Sequence, residues 1–331
     1  MRDNPISATV DFNQDGVQHG HLHLPHSRND SAWGSILIPI CVVKNGDGPS
    51  ALLTGGNHGD EYEGPLALRA LAQTLDPAHI TGRVILIPFM NQPAFSQGTR
   101  VSPLDQGNMN RVFPGKPDGS PTEKIADYFQ RTLLPMADVV LDFHSGGKTL
   151  DFLPYAASHV LDDKEQEARC RAARDAFNAP FSVEMREIDS LGMYDDAAEG
   201  LGKTFVTTEL GGGGTATPKT VAIARKGARN LLIHASILSG TPEHGPTRQL
   251  SQPDPACFHF APDPGLVEFT VNLGDLVHKD ATLLRIWDIH HLDRRPAVIK
   301  AQMDGVVTAR HHPGLVQAGD CLTVLSVEHS V

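Results

Sequence analysis

The chain has 331 residues, a length that suits one large domain together with a smaller one. Its 28 basic and 39 acidic side chains give a net charge of -11, so neither nucleic acid nor an anionic membrane surface would attract it. The 4 cysteines are far apart and form no Cys-x-x-Cys pair, which argues against a disulfide framework and against a thiolate metal site. The N-terminus lacks the apolar core of a signal peptide, and no apolar run reaches about 18 residues. These features together favour a cytoplasmic protein.

Strand and helix patterns alternate along residues 1–240, which is typical of an α/β fold. Short apolar runs predict strands at 35–43, 50–56, 82–90, 138–144 and 203–210. Helical patterns predict helices at 65–75, 163–177 and 217–239. A further helix begins after Ser120, where Pro121 fits the first turn and Glu123 completes a capping box. The segment 91–119 has no clear periodicity, and a loop of that length inside a compact domain is usually functional.

The character of the sequence changes near residue 240. The segment 241–260 is rich in Pro and Gly and is predicted to be a linker. Beyond it, short alternating runs with Gly-Asp turns at Gly274 and Gly319 predict a small all-β domain. The predicted organisation is a catalytic α/β domain at 1–240, the linker, and a β domain at 261–331.

Chemically reactive side chains follow three of the predicted strands. His58 and Glu61 lie between a strand and a helix, His144 ends a second strand, and Glu209 lies near the end of a third. The carboxyl ends of strands form the ligand crevice of an open α/β sheet. Two histidines and one glutamate, with one position left for water, are a common catalytic zinc set. Glu209 is the candidate for the carboxylate that transfers protons.

Each of these signals also has an ordinary structural explanation. A His-x-x-Glu spacing often arises by chance, a histidine that ends a buried strand is often a packed core residue, and Glu209 could cap a helix or a loop. Their joint placement at successive strand ends is what favours a metal site. Asp142 lies two residues before His144, on the same face of the strand, where it can accept a hydrogen bond from a metal-bound histidine. It could equally be a capping or surface residue.

Four motifs resemble the succinylglutamate desuccinylase/aspartoacylase family, which belongs to the zinc carboxypeptidase-like clan. They are TGGNHGDEYEG, GTRVSPLDQGNMNRVFPG, DFHSGG and TTELGGGG, and the resemblance extends in the same order over about residues 50–330. It implies a mixed sheet flanked by helices, with one zinc ion (Zn²⁺) per chain held by His58, Glu61 and His144. It also implies that Glu209 is the general base.

The resemblance also implies roles for residues of the segment 91–119. Arg100 would polarise the scissile carbonyl and stabilise the oxyanion, while Asn110 and Arg111 would grip the carboxylate of the substrate. A guanidinium group suits this task, because its planar fork binds a carboxylate through two hydrogen bonds. Without the resemblance, an arginine in a loop, such as Arg111, would more often be a surface residue.

Within the family, the runs TEKIADYFQRTLLPMADVVLDFHSGGKTLDF and FVTTELGGGGTAT resemble the enzymes that deacetylate Nα-acetyl-L-2,4-diaminobutyrate in ectoine degradation. This resemblance implies a small N-acyl amino acid as substrate, with acetate and L-2,4-diaminobutyrate as products. An acidic side chain would then pair with the ammonium group of the substrate side chain. The sequence does not choose among four candidates, which are Asp189, Asp195, Asp196 and Glu199.

The C-terminal domain resembles a barrel-sandwich hybrid of the biotinyl/lipoyl type. Carrier domains of that type need a lysine at a hairpin tip, and the matching turn at 302–305 has none. A wall or a lid over the active site is therefore expected instead of a swinging carrier arm.

Other functions remain open at this point. The chain could be a deacylase of the succinylglutamate or aspartoacylase type, a metallocarboxypeptidase that acts on peptides, or a non-catalytic binding protein. A deacylase predicts a narrow, charge-lined pocket, whereas a binding protein would tolerate the loss of Glu209. The sequence does not define the oligomeric state, although a homodimer is compatible with it.

Overall fold

A computed structural model describes residues 3–186 and 191–329 of the chain. Its strands are β1 (Ser7–Ala8), β2 (Gly16–Pro25), β3 (Ser35–Asn45), β4 (Ser50–Thr54), β5 (Gly82–Ile87), β6 (Val139–His144), β7 (Leu150–Phe152), β8 (Tyr155–His159), β9 (Phe181–Met185), β10 (Thr204–Glu209), β11 (Arg248–Gln252), β12 (Phe258–Phe260), β13 (Gly265–Phe269), β14 (Leu276–Val277), β15 (Thr282–Trp287), β16 (Ala297–Lys300), β17 (Gly305–His311), β18 (Leu315–Val316) and β19 (Cys321–Glu328). Its α-helices are α1 (Glu63–Thr74), α2 (Gln92–Gln97), α3 (Pro121–Tyr128), α4 (Leu134–Met136), α5 (Lys164–Phe177), α6 (Tyr194–Glu199) and α7 (Pro218–His234). Short 3-10 helices lie at Pro77–His79, Met109–Arg111 and Pro255–Cys257, and a π-helix joins α3 to α4 at Phe129–Leu133.

One large mixed sheet carries most of these strands. Within the described residues its order is β1-β2-β3-β5-β4-β6-β10-β8-β9-β11-β19-β17-β14. The central strands β5, β4, β6 and β10 are parallel to one another, whereas β3 and β8 pair with this group antiparallel. The carboxyl ends of β4, β6 and β10 therefore meet at one edge of the sheet, which confirms the predicted mixed α/β architecture.

Alternate residues of the central strands pack on opposite faces of the sheet, as expected for strands that are buried on both sides. Leu52 and Val140 join a core that includes residues of α3, the π-helix and α6. Leu53 and Leu141 join a second core that includes residues of α1, α5 and α7. Helices therefore cover both faces of the central sheet and hold its strand ends in place.

The helix start predicted at Ser120 is confirmed, but two other predictions need correction. Ser120 and Glu123 form the expected reciprocal capping box at the start of α3. The segment 91–119 is not irregular throughout, because Asn91 caps the short helix α2, which is too short to give a periodic pattern. Helix α7 ends at His234 and not near 239, because the chain turns back there and Leu238 pairs with Ile80.

The segment 241–260, predicted as a linker, contains two strands in the structure. β11 pairs parallel with β9 and antiparallel with β19, and β12 also pairs with β19. The polar sequence of β11 hides this role, although Leu250, Ser251 and Gln252 are all buried. The described residues after 260 form strands and no helix, as predicted. β16, β15, β13 and β18 form a separate sheet of 4 strands.

Among the described residues, no helix is long and apolar enough to cross a membrane.

A glycine allows α1 to lie very close to β6, next to the strand end that carries His144. Gly64 lies in the first turn of α1, and a Cβ atom at this position would overlap the Cβ of Phe143. Phe143 is 1% exposed and belongs to the core, so it has no free space into which it could retreat. The close approach of helix and strand therefore depends on the missing side chain.

We expect Gly64→Ala to lower the free energy of unfolding by about 1–3 kcal/mol, because overpacking of the core outweighs the better helix propensity of alanine. The measurement is urea unfolding followed by circular dichroism. Gly314→Ala is the control, since a Cβ there would lie 3.7 Å from the nearest side-chain atom, an ordinary contact. Equal stability of the two variants would contradict the close approach.

Candidate active site

Three potential metal ligands converge at the edge where β4 and β6 end. His58 and Glu61 lie in the loop between β4 and α1, and His144 is the last residue of β6. The Nδ1 atom of His58 lies 2.7 Å from Oε1 of Glu61, and the Nδ1 atom of His144 lies 3.0 Å from Oε2 of the same carboxylate. The candidate ligand atoms of the three residues all lie within 4.8 Å of one another. The three residues that the sequence predicts as one ligand set therefore lie together in the structure.

The second nitrogen of each imidazole has a fixed acceptor. Nε2 of His144 lies 2.7 Å from the carboxylate of Asp142, and Nε2 of His58 lies 3.2 Å from Oδ1 of Asn108. Oδ1 of Asn108 also accepts the backbone N–H of Asn110, so it is an acceptor and His58 is the donor. A neutral imidazole that donates through Nε2 presents an Nδ1 lone pair to Glu61. Two nitrogen lone pairs and a carboxylate therefore face one point, as a divalent metal site requires.

Asp142 occupies the position beside His144 that its spacing predicts, and it has further partners. The hydroxyl of Thr54 donates to Oδ1 of Asp142 at 2.6 Å, and the amide of Asn57 donates to Oδ2 at 3.1 Å. Asp142 is 1% exposed, so these hydrogen bonds replace the water that it loses. Asn108, which sequence reasoning missed, plays the corresponding part for His58, and its place in the GNMNR run is the signal that could have identified it.

The electrostatics of the cluster favour a cation between the ligands. Burial would raise the pKa of Glu61, but the adjacent His58 and His144 lower it below its ordinary value. Burial lowers the pKa of His58. Burial would also lower the pKa of His144, but the carboxylates of Asp142 and Glu61 outweigh this effect and raise it. An ionised Glu61 between two imidazoles is the charge pattern that a bound metal would complete.

Glu209 and Arg100 lie beside this cluster. Glu209 pairs with His144 in the register of β10 and β6, and its Oε2 atom is buried without a hydrogen bond to the described residues. Burial and the negative charge of Glu61 raise the pKa of Glu209 to about 8. Nη1 of Arg100 lies 3.3 Å from Nδ1 of His58 and 3.7 Å from Oε1 of Glu61. A carboxyl group and a guanidinium group thus border the point where the ligands converge.

Asn110 and Arg111 lie in the 3-10 helix that follows Asn108, and both line the same cavity as the ligand cluster. Oδ1 of Asn110 accepts hydrogen bonds from the backbone N–H of Tyr194 at 3.0 Å and from the amide of Asn57 at 3.4 Å. Its own Nδ2 amide makes no hydrogen bond with the described residues. Arg111 is exposed and donates through Nη1 to the carbonyl of Asn110 at 2.6 Å. Both side chains can therefore offer donors to a ligand in the cavity.

The cavity has a volume of about 340 Å³, which is within the range for small-molecule sites. Of the candidates for the side-chain pocket, Asp195 is buried and lines the cavity. Asp196 is exposed and does not line it, and Glu199 contacts Nδ1 of His159 at 2.9 Å. Asp189 lies outside the described residues. Of the candidates that can be placed, the structure therefore brings Asp195 into the site.

Comparison with known proteins agrees with this fold. The model of the succinylglutamate desuccinylase/aspartoacylase catalytic domain matches residues 47–235. N-alpha-acetyl-L-2,4-diaminobutyric acid deacetylase of Halomonas elongata is 52% identical over 329 residues, which cover 98% of this chain and 96% of that protein.

Several solved structures are similar over almost the whole chain. The product-bound ectoine utilization protein EutE of Ruegeria pomeroyi is 57% identical with a TM-score of 0.97, covering 99% of this chain and 100% of that one. A succinylglutamate desuccinylase of a Silicibacter species is 55% identical with a TM-score of 0.96 and the same coverage. Together with the site, these matches define an enzyme, an amidohydrolase of N-acyl amino acids. The chain belongs to the succinylglutamate desuccinylase/aspartoacylase family.

Metal binding by the three converging residues is directly testable. We expect His58→Ala, Glu61→Ala and His144→Ala each to lose stoichiometric divalent metal, because each variant removes one donor from the set. Equilibrium dialysis followed by elemental analysis measures the metal content. His278→Ala is the control, since the side chain of His278 is 81% exposed. Retention of a full equivalent by any of the three variants would remove that residue from the ligand set.

Proposed function

We propose that this enzyme is a zinc-dependent deacetylase that hydrolyses Nα-acetyl-L-2,4-diaminobutyrate to acetate and L-2,4-diaminobutyrate in ectoine degradation. The observation that carries the proposal is the convergence of His58, Glu61 and His144 in one cavity with Glu209 and Arg100. The name of the Halomonas relative supports this substrate, and the name of the Ruegeria relative supports a role in ectoine utilization. The name of the Silicibacter relative points to a different substrate at nearly the same identity, so the cavity itself has to support the choice.

Zinc suits the proposed ligand set, because two imidazole nitrogens and one carboxylate leave a coordination position open. A bound zinc ion would polarise the acyl carbonyl and lower the pKa of a bound water molecule to about 7. Asp142 and Asn108 contact Nε2 of the two imidazoles and would leave the Nδ1 lone pairs free to hold the ion. The three residues form one ligand set, so the proposed stoichiometry is one zinc ion per chain.

Glu209 is proposed to move the proton that the reaction requires. Its carboxylate accepts a proton from the attacking water and then donates it to the amine nitrogen as the amide C–N bond breaks. Because burial and Glu61 favour its protonated form, Glu209 can retain the proton until the amine leaves. The positive charge of Arg100 acts in the opposite direction and favours the ionised form that the first step needs.

The cationic and amide donors of the cavity are proposed to bind the charges of the substrate. Arg100 faces the ligand cluster, so its guanidinium group can stabilise the negative charge that develops on the acyl oxygen. Asn110 and Arg111 are proposed to hold the α-carboxylate, for which the arginine fork has the right geometry. The bound carboxylate would fix the position of the acetamide relative to Glu209.

The C-terminal strands are proposed to form a barrel-sandwich domain that closes one wall of the cavity. β7 belongs to the chain segment just after His144, and it pairs antiparallel with β17 of the C-terminal part. Leu150 and Phe152, at the two ends of β7, both line the cavity. The cavity wall is thus hydrogen-bonded to the C-terminal part, which supports a role as a wall and not as a carrier.

Substitution of the proposed proton carrier tests the mechanism. We expect Glu209→Gln to keep the fold and the bound metal but to lower kcat by about 10²–10⁴-fold, because an amide cannot accept the proton. The control is Glu165→Gln, the same change at an exposed position of α5. Steady-state kinetics and metal analysis are done on the same protein samples. Near-normal turnover of Glu209→Gln would show that another group is the base.

The substrate is tested by kcat/KM for four compounds with zinc-loaded enzyme. They are Nα-acetyl-L-2,4-diaminobutyrate, N-acetylaspartate, N-succinylglutamate and an N-blocked dipeptide that carries a free carboxylate. We expect the first to exceed each of the others by at least about 10²-fold, because a site built for a charged group rejects compounds that leave it unpaired. Preference for an acidic compound would instead place the enzyme with aspartoacylases or desuccinylases, and preference for the dipeptide would indicate a carboxypeptidase.

A further inference from the structure

The described carboxylates that line the cavity fall into two groups. Glu61, Asp142 and Glu209 belong to the ligand cluster or lie against it. Asp195 comes from a different element, the first turn of α6, and the proposed hydrolysis does not use it. A carboxylate that is 7% exposed and faces a ligand cavity needs a reason to be there, because burial of an uncompensated charge is costly.

The protein satisfies the Asp195 carboxylate only in part. Oδ1 accepts the backbone N–H of Asp196 at 2.7 Å. Oδ2 lies 3.7 Å from Nε2 of His159, which is an ion-pair distance but too long for a hydrogen bond. Burial raises the pKa of Asp195, so the protein alone does not fully stabilise its charge. A donor with a positive charge from a ligand would supply the missing interaction.

His159 is held in a position that leaves this carboxylate facing the cavity. Its Nδ1 atom contacts Oε1 of Glu199 at 2.9 Å, and its ring lies nearly parallel to Phe205, with an interplanar angle of 18°. His159 therefore lies closer to Glu199 than to Asp195. This pairing also accounts for Glu199, which contacts His159 and does not line the cavity.

We propose that Asp195 binds the positively charged side chain of the substrate and so selects N-acyl amino acids whose side chain ends in an ammonium group. The inference rests on the proposed function and adds the residue that decides specificity. Apolar side chains that line the same cavity, Met185, Met193 and Phe205, can pack against the methylene groups of such a side chain. The ammonium group then donates to Oδ2 of Asp195.

This arrangement predicts which analogues the enzyme rejects. Nα-acetyl-L-norvaline has the same length as Nα-acetyl-L-2,4-diaminobutyrate but ends in a methyl group, so it offers no donor to Oδ2 of the buried Asp195. An unpaired buried charge costs more than the net gain from an ordinary hydrogen bond. The ratio of kcat/KM for the two compounds therefore measures the contribution of the ammonium subsite. Both compounds use the same metal and the same Glu209, so a general loss of activity lowers both values equally and does not change the ratio.

The experiment measures this ratio in the wild type and in Asp195→Asn, which keeps the shape and the acceptor for Asp196 N–H but removes the charge. We expect the substitution to lower kcat/KM for the diamino compound by about 10²-fold and to change that for the norvaline compound by less than about 3-fold. Asp196→Asn is the matched control, since it makes the same change at the adjacent exposed position. Asp195→Ser provides a second test if the asparagine variant folds poorly.

The outcomes separate the inference from the proposed function. A wild-type preference for the diamino compound that disappears in Asp195→Asn, but not in Asp196→Asn, supports the inference. If Asp195→Asn retains the preference, the inference is wrong, but the proposed deacetylase activity still stands. The same conclusion follows if Asp189→Asn is the one variant that loses the preference. A wild-type enzyme that lacks the preference overturns both the inference and the proposed substrate.

Discussion

The parallel pairing of β4, β6 and β10 is the constraint on which the rest of the site depends. Its register sets Thr54 opposite Asp142 and His144 opposite Glu209. Because side chains alternate between the faces of a sheet, a slip of one residue would turn these groups to the wrong side. Hydrophobic residues on both faces of the same strands pack into the two cores, so the packing that stabilises the fold also holds this alignment.

Buried hydrogen bonds then connect the parts of the cavity that would hold different parts of a substrate. The amide of Asn57 donates to Asp142, which holds His144, and also to Oδ1 of Asn110. That oxygen accepts the backbone N–H of Tyr194, the residue before Asp195. Hydrogen bonds in a water-poor interior are stronger and costly to break. The proposed metal, carboxylate and ammonium subsites are therefore fixed relative to one another.

Most of the fold and the ligand cluster could be predicted from the sequence, because apolar runs and helix caps are local signals. The four quoted motifs also carry the residues that meet in the cavity. Local patterns failed where tertiary contacts decide: β11 is polar yet lies inside the sheet, and Asn108 acquires a role only through its contact with His58. The choice of Asp195 over Asp196 likewise depends on which side of a short helix faces the cavity, which no periodicity reveals.

The most direct test of the proposed site is anomalous diffraction at the zinc absorption edge, from crystals grown with zinc and L-2,4-diaminobutyrate. We predict one zinc peak per chain, about 2.0–2.1 Å from Nδ1 of His58 and of His144, with a carboxylate oxygen of Glu61 as the third protein ligand. The ammonium group of the product should lie within hydrogen-bonding distance of Asp195. A zinc peak elsewhere, or coordination through the Nε2 atoms, would contradict the proposed site.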